Sequence, residues 1–249
     1  MGALEGRRIV VTGGASGMGA ASVRAYVREG ARVFSMDLNE EGGITVTEEA
    51  ASLGGGDVLF EPCDISSPRT TEVMERGIAW LGGIDVLANV AGIERGTTPE
   101  DLTEEELDFM LECNVWGTIQ TNQIAYRHMS KGDGGRIINY SSYAGTGGMP
   151  RAAGYSASKG GVLGWSRAIA NEWMSDGIVV VAMSPAIWTP MYDEHRRREP
   201  AEFVALSDSF MEGSDPDRHM GPVMVFLASQ GSFGISGQCL GVTRAPGGK

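Results

Sequence analysis

The sequence predicts an α/β protein in which a doubly wound parallel sheet carries helices on both of its faces. Three observations support this fold class. Apolar strand-like runs alternate with helical patterns, a glycine-rich turn joins the first such pair, and no long Pro/Ser linker or internal repeat interrupts the order. Alternation of this kind is typical of parallel strands joined by right-handed crossovers. We therefore expect one domain over residues 1–249.

The first part of the chain alternates regularly between the two patterns. Strands are predicted at Arg7–Thr12, Arg32–Asp37, Asp57–Pro62 and Asp85–Val90. Helices are predicted at Met18–Glu29, Glu40–Leu53 and Pro68–Leu81. The segment from Thr103 to Glu106 has the Thr-x-x-Glu form of a capping box, which predicts the start of a further helix. Asn114 falls on the apolar stripe of that helix, so its amide must find a partner there, either a structural bond or a held water.

The second part continues the alternation up to one irregular stretch. Ile137-Ile138 reads as the end of a buried strand, and a helix is predicted from Tyr155 to about Met174. The remaining elements are strands at Ile178–Ser184 and Gln238–Val242 and a helix at Gly221–Ala228. Residues of about 186–217 are charged and irregular. Ligands of open α/β sheets bind outside the carboxyl ends of the strands, so this stretch is predicted to be a substrate lid.

Composition narrows the possible partners. The 249 residues are 42% hydrophobic and 21% charged, which is ordinary for a globular chain. The net charge of −12 argues against nucleic acid and anionic membrane as partners, because both need a basic surface. The three cysteines have no metal or disulfide spacing, so no metal is expected. With no apolar signal or membrane-length run, the chain is expected to be cytoplasmic.

The turn after the first strand indicates a dinucleotide. It reads GGASGMG over Gly13–Gly19, and glycines between a strand and a helix let backbone N–H groups approach a pyrophosphate. Asp37 ends the next strand, where a carboxylate can accept bonds from both ribose hydroxyls and repel a 2′-phosphate. Neither the turn nor the two residues after Asp37 contain Arg or Lys. The sequence therefore favours NAD over NADP.

A second constellation indicates acid/base chemistry. Tyr155 and Lys159 are four residues apart, so a helix places both side chains on one face. An ammonium held beside the phenol lowers the pKa of tyrosine from its ordinary value of about 10, which makes Tyr155 a usable acid/base. Ser142, arriving from a strand end, can donate to the same substrate oxygen. The alternative is that Tyr155 packs in the core and Lys159 lies on the surface.

Together these motifs resemble the short-chain dehydrogenase/reductase family over essentially the whole chain. The matching residues are Thr12-Gly13-x-x-x-Gly17-x-Gly19, Asp64, Asn89-x-Ala91-Gly92, Asn114, Ser142 and Tyr155-x-x-x-Lys159. The resemblance implies a Rossmann fold, a homotetramer and an NAD-dependent oxidoreductase. It also implies dinucleotide contacts from Gly13, Ser16, Gly17, Met18, Asp37, Asp64, Ile65, Asn89, Ala91, Gly92, Tyr155, Lys159, Pro185, Ile187 and Thr189.

The resemblance also implies the catalytic roles. Tyr155 would be the acid/base at the reacting oxygen, and Ser142 would orient that oxygen. Lys159 would lower the pKa of Tyr155 and hold the nicotinamide ribose, while Asn114 would anchor a water that links Lys159 to solvent. The chain departs from the family pattern at Val90, at Ala186 and after Val242. These departures bear on the contact from Thr189 and on subunit packing.

The substrate class remains open among three functions. The first is interconversion of a small or medium secondary alcohol and its ketone. The second is reduction of 3-oxoacyl groups on an acidic carrier protein, which Asp133 and Asp176 disfavour because they stand where such reductases have arginines. The third is a non-catalytic dinucleotide sensor, which would not need the acid/base set. Candidate pocket residues are Glu94, Tyr143, Met149, Trp188, Met191, Tyr192 and His195.

Overall fold

A seven-stranded parallel sheet is the centre of the computed structural model, which describes residues 2–243. Its strands are β1 (Arg8–Thr12), β2 (Arg32–Asp37), β3 (Val58–Pro62), β4 (Val86–Asn89), β5 (Gly135–Tyr140), β6 (Ile178–Ala186) and β7 (Cys239–Thr243). They lie in the order β3-β2-β1-β4-β5-β6-β7. This order confirms the predicted doubly wound sheet.

Eleven α-helices connect the strands of the described chain. They are α1 (Gly17–Arg28), α2 (Glu40–Ser52), α3 (Thr70–Leu81), α4 (Glu104–Met110), α5 (Gly117–Met129), α6 (Tyr143–Gly147), α7 (Ala153–Glu172), α8 (Pro190–Arg198), α9 (Ala201–Met211), α10 (Pro216–His219) and α11 (Gly221–Ala228). Within residues 2–243, no helix combines the length and hydropathy needed to cross a lipid bilayer.

The alternation of side chains along each strand gives the sheet two apolar faces. In β1, Ile9 and Val11 join the core that α1, α2 and α11 cover, whereas Val10 joins the core under α3, α5 and α7. All three side chains have no exposed surface. The sheet is therefore buried on both sides, as the continuous apolar strands predict.

The chain reverses its winding direction between β1 and β4. The helices that follow these two strands lie on opposite faces of the sheet. This leaves a crevice at the carboxyl ends of the two strands. The glycine turn follows β1, and Ala91 and Gly92 follow β4, so both motifs reach this crevice. Parallel pairing alone brings together motifs that are about 80 residues apart in sequence.

A buried polar network crosses the sheet just below the crevice. Asn139 in β5 accepts hydrogen bonds from Asn89 (3.1 Å) and from the Nδ2 atom of Asn122 (3.0 Å). It donates to the Oδ1 atom of Asn122 (2.9 Å) and to Ser166 (3.0 Å). All four side chains are almost completely buried. Since Asn122 belongs to α5 and Ser166 to α7, the network fixes both helices to the carboxyl ends of the strands.

The stretch predicted to be irregular is different in the structure. Residues 190–219 form three helices, α8 to α10. Thr189 and Asp215 cap α8 and α10 with side-chain oxygens, and a proline opens each of them. The prediction of an irregular stretch is therefore wrong. The charged residues of α8, which lie on its exposed face, hid the helical pattern there, whereas α9 is mostly apolar.

The polar network gives a stability prediction. Asn139→Ala removes four buried hydrogen bonds and takes away the acceptor of the Nδ2 groups of Asn89 and Asn122. We expect the free energy of unfolding to fall by about 3 kcal/mol. Urea unfolding followed by circular dichroism measures this difference. The exposed Asn171→Ala variant is the control and should change stability by less than about 0.5 kcal/mol. Equal stabilities of the two variants would contradict the role given to the network.

Candidate active site

Two adjoining cavities of about 250 Å³ each lie above the carboxyl ends of the strands. Met18, Thr189 and Met191 line both of them. Ten of the predicted dinucleotide residues line one cavity, called here the cofactor cavity: Gly13, Ser16, Gly17, Met18, Asp37, Asp64, Ile65, Ala91, Gly92 and Thr189. Ser142 and Tyr155 line the other, called here the substrate cavity. Folding thus brings the two predicted constellations to one continuous cleft.

The glycines of the first turn are required by close backbone approach. Gly13 has a φ of +73°, and a Cβ atom there would lie 2.6 Å from the Ala91 nitrogen. A Cβ atom at Gly19 would overlap the carbonyl oxygen of Gly13. Ser16 precedes α1, and its hydroxyl makes no capping bond to the helix. The open N-terminus of α1 and this hydroxyl therefore face the cofactor cavity and fit a pyrophosphate.

Two carboxylates lie on the cofactor cavity beyond the glycine turn. Asp37 accepts hydrogen bonds from the backbone N–H groups of Ala15 (3.0 Å) and Asn39 (2.9 Å), so one side chain connects the glycine turn to the start of α2. Asp64 accepts from the backbone and hydroxyl of Ser66 through a single oxygen, Oδ1. This arrangement fixes the orientation of both carboxylates. It fits the ribose and adenine contacts expected of them.

Lys159 is only 4% exposed and lines neither cavity, although its Nζ atom lies close to Gly92 of the cofactor cavity. Its Nζ atom donates to the carbonyl oxygen of Tyr140 (2.8 Å) at the end of β5. A Cβ atom at Gly92 would lie 2.9 Å from this Nζ atom and 3.1 Å from Asn114 Oδ1. The glycine is therefore needed because the lysine and the asparagine approach the backbone closely. Burial lowers the pKa of Lys159 to about 8.

Asn114 lies in a π-helical segment, Leu111–Trp116, between α4 and α5. Such segments are rare and occur often at functional sites. The amide accepts from the backbone N–H of Ile93 (2.8 Å) and donates to the Ile93 carbonyl (2.9 Å) and to Ser158 (2.9 Å). Asn114 thus fastens the loop after β4 to the helix that carries Tyr155 and Lys159. Its expected part in holding a water remains a prediction.

The pKa of Tyr155 differs from the expectation. Burial raises it to about 12, and the charge of Glu94 acts in the same direction. Only a hydrogen bond with Ser142 opposes this rise. The Lys159 ammonium lies 5.8 Å from the centre of the tyrosine ring and donates to a carbonyl instead. The expected lowering by Lys159 is therefore wrong for this structure, because burial of the phenol raises the pKa and the ammonium is bonded to the Tyr140 carbonyl instead.

Three further predicted dinucleotide residues, Asn89, Pro185 and Ile187, lie elsewhere than expected, and Thr189 has a second task. The Asn89 side chain accepts from Thr121 (2.9 Å) and donates to Asn139, so it belongs to the buried network and not to the lining of the cofactor cavity. Pro185 and Ile187 line the substrate cavity. Thr189 lies between the cavities, where its hydroxyl also accepts from the Tyr192 backbone (3.3 Å). These placements depend on strand register and helix capping, which the motifs do not encode.

The substrate cavity has a largely apolar lining. Six of the seven candidate pocket residues line it: Glu94, Tyr143, Met149, Met191, Tyr192 and His195. Trp188 does not, because its indole N–H donates to Asp193 (2.8 Å) and its ring packs on Tyr192. Ser207, Phe210 and Met211 of α9 also line the cavity, and no pattern in the sequence indicates this. In the described part of the chain, no group of three or more His, Cys, Asp or Glu side chains could hold a metal ion.

Comparison with known proteins agrees with this geometry. The sequence profile of the short chain dehydrogenase family matches residues 7–200. A 3-oxoacyl-acyl-carrier-protein reductase of Thermotoga maritima is 33% identical over 240 residues, covering 96% of this chain and 97% of that protein. A D-threitol dehydrogenase of Mycolicibacterium smegmatis is 37% identical over 239 residues, covering 94% of this chain and 90% of that protein.

The fold agrees as well. The crystal structure of levodione reductase matches with a TM-score of 0.89 at 25% identity, covering 96% of this chain and 97% of that one. The family profile, over residues 7–200, includes every residue that lines the cofactor cavity, whereas Ser207, Phe210, Met211 and Thr243 of the substrate cavity lie beyond it. The chain therefore belongs to the short-chain dehydrogenase/reductase family and is an oxidoreductase with a Rossmann fold.

Proposed function

We propose that this protein is an NAD-dependent dehydrogenase that interconverts a small or medium secondary alcohol and its ketone. The observation that carries the proposal is the presence of Ser142 and Tyr155 together on the substrate cavity, which adjoins the cofactor cavity, with the buried Lys159 four residues after Tyr155 on the same helix. Hydride transfer is the chemistry that the bound nicotinamide would supply. The chain itself has to bind the two reactants side by side and move one proton.

Tyr155 is the proton-transferring group of this proposal. Its side chain is half-buried next to Ser142 on the substrate cavity, so both hydroxyls can hydrogen-bond to one substrate oxygen. With its pKa raised to about 12, the phenol is protonated near neutral pH and can donate to a carbonyl oxygen. Oxidation of an alcohol needs the phenolate and should therefore accelerate as the pH rises. Lys159, held by the Tyr140 carbonyl, would bind the nicotinamide ribose.

NAD is preferred to NADP in this proposal because of Asp37. The carboxylate is held by two backbone N–H groups and lines the cofactor cavity. It can accept from ribose hydroxyls but repels a 2′-phosphate. None of the described residues that line this cavity is Arg or Lys, so no side chain there compensates the phosphate charge.

The two rival functions fit less well. An acidic carrier protein would meet a chain of net charge −12, and Asp133 is exposed just before β5. Both Asp133 and Asp176 lie at the amino edge of the sheet, away from the cavities, so they act on carrier docking and not on the pocket. A non-catalytic sensor has no use for a buried tyrosine and serine beside a second cavity.

We further propose that α8 to α10, in the predicted lid of about 186–217, close over the substrate. Met191, Tyr192 and His195 from α8 and Phe210 and Met211 from α9 line the cavity, so a movement of these helices changes its access. A homotetramer remains a prediction from the resemblance, and a cytoplasmic location remains a prediction from the sequence composition and pattern. The exposed side chains of Phe109 and Trp116, on the helical segment that carries Asn114, are consistent with subunit contacts.

The role of Tyr155 is tested by removing one oxygen atom. Tyr155→Phe keeps the ring but cannot transfer the proton, so turnover should fall by about two orders of magnitude or more. NAD affinity and thermal stability should remain close to wild type. Tyr126→Phe is the matched control, because it loses a hydroxyl that binds Asp176 away from the cavities. Steady-state NADH production measures both variants. Wild-type turnover in Tyr155→Phe would disprove the mechanism.

The cofactor preference is tested by titration. NAD should bind at least about tenfold more tightly than NADP, or about 1.4 kcal/mol. Asp37→Ala should reduce the difference in affinity between NAD and NADP, mostly by weakening the binding of NAD. Asp133→Ala is the control. It removes the same charge at an exposed position and should leave the difference in affinity between NAD and NADP unchanged. Equal dissociation constants of the wild-type chain for the two nucleotides would refute the preference.

The buried lysine gives a stability prediction with a defined pH window. The pKa of Lys159 is about 8 in the folded chain against an ordinary value of 10.5. Between these values the unfolded chain binds more protons, so the contribution of Lys159 to stability rises with pH. Below about pH 8 the full cost of burying the charge is present. Lys159→Met removes the titrating group and with it this dependence.

The measurement is urea unfolding without added nucleotide across that window. From about pH 8 to 10.5, wild type should gain about 3 kcal/mol of unfolding free energy relative to Lys159→Met. Lys131 is exposed, so the difference between wild type and Lys131→Met should stay constant with pH. A pH-independent difference for Lys159→Met would show that the lysine titrates as it does in water.

A further inference from the structure

The substrate cavity contains a pair of buried polar atoms that make no hydrogen bond. Glu94 and His195 both line it, and their side chains are 3% and 7% exposed. Glu94 Oε1 and His195 Nδ1 are 3.4 Å apart, and among residues 2–243 neither makes a hydrogen bond. A buried polar atom left unsatisfied costs about 1–3 kcal/mol. A third group that bonded to both atoms would recover this cost.

The charges around the pair indicate that this group is neutral. The second carboxylate oxygen of Glu94 forms an ion pair with Arg198, and the neighbouring Glu199 forms one with Arg151. Each carboxylate therefore already has its cation, and each arginine its anion. None of the described residues that line the cavity is Arg or Lys. An anionic substrate such as a carboxylate or phosphate would find no counter-charge here.

A hydroxyl group matches the two atoms. Glu94 Oε1 can only accept, and an oxygen at hydrogen-bond distance from both atoms can donate to it while accepting from a protonated Nδ1 of His195. The charge of Glu94 also contributes to the raised pKa of Tyr155, so the pair is electrostatically close to the reacting centre. The second group of the substrate must then be near the first.

The rest of the cavity limits how polar the substrate can be. Its walls are formed mainly by apolar side chains: Met18, Met149, Ile187, Met191, Phe210 and Met211. If a substrate has a hydroxyl group on every carbon, several of these hydroxyl groups would face apolar walls without a hydrogen-bond partner. A compact body with few polar groups buries apolar surface there instead.

We propose that the substrate is a diol with an otherwise apolar body, one hydroxyl reacting at Tyr155 and the other held between Glu94 and His195. The reacting C–H and O–H bonds break to form a ketone; the hydride reduces NAD and the proton goes to the Tyr155 phenolate. The second hydroxyl is unchanged. This inference rests on the proposed function and defines the substrate class of the same site.

The first test compares cyclohexanol with the cis and trans isomers of cyclohexane-1,2-, 1,3- and 1,4-diol, using wild-type protein and NADH absorbance. At least one diol should have a kcat/KM about tenfold or more above that of cyclohexanol. The same diol should also have a higher kcat/KM than D-threitol. D-threitol can bond to the Glu94–His195 pair, but its further hydroxyl groups would face the apolar walls. If no diol has a higher kcat/KM than cyclohexanol, the proposal is overturned. If D-threitol has a higher kcat/KM than every cyclohexanediol, the claim that the body of the substrate is apolar is overturned.

The second test uses Glu94→Gln, which keeps the size of the side chain but exchanges an oxygen for an amide nitrogen. The ratio of kcat/KM for the best diol to that for cyclohexanol should fall about tenfold or more. The matched control is Glu48→Gln, an exposed residue outside both cavities, which should keep the wild-type ratio. An unchanged ratio in Glu94→Gln would overturn the role of the pair.

Two controls keep these outcomes distinguishable. Thermal unfolding and NAD affinity show whether Glu94→Gln is folded; if it is not, His195→Gln is measured in its place, with the same expected fall in the ratio. Failure of the proposed function has a different signature, since no alcohol, cyclohexanol included, would then produce NADH. If cyclohexanol and the diols are oxidised at equal rates, the proposed function stands and only the assignment of a diol as substrate is disproved.

Discussion

The site depends on the buried polar network at the ends of β1, β4 and β5. Thr12, Asn89 and Asn139 are paired in register across these three strands, and their side chains bond to one another or to α5 and α7. Apolar side chains alone would hold the helices against the sheet but would allow them to slide. Hydrogen bonds with fixed directions set their position, which is why the cleft above the network has a defined shape.

Burial then sets the electrostatics of that cleft. The same desolvation that raises the pKa of Tyr155 lowers that of Lys159, because the charged form is disfavoured in each case. Both groups are consequently neutral or near titration under mild conditions, as an acid/base site requires. The Glu94–His195 pair lies in the same poorly solvated cavity, where an unpaired polar atom has a large influence on what binds.

The sequence by itself determined the fold and indicated most of the residues that line the two cavities. Strand–helix alternation gave the doubly wound sheet, and the Thr103 capping box is present with both of its bonds. Gly13, Gly17 and Asp37 line one cavity, as their positions after β1 and β2 predicted. These features are local: a glycine turn, a period of two or 3.6 residues and a spacing of four are all encoded within short segments.

Only the tertiary structure decided the contacts between distant segments. Arg198 pairs with Glu94 across 104 positions of sequence, and no local pattern indicates such a contact. The π segment around Asn114, the use of Asn89 in the core and the helices of residues 190–219 likewise depend on packing. The raised pKa of Tyr155 has the same origin. A spacing of four shows that a lysine is near, but the degree of burial, which outweighs its charge, is a property of the whole fold.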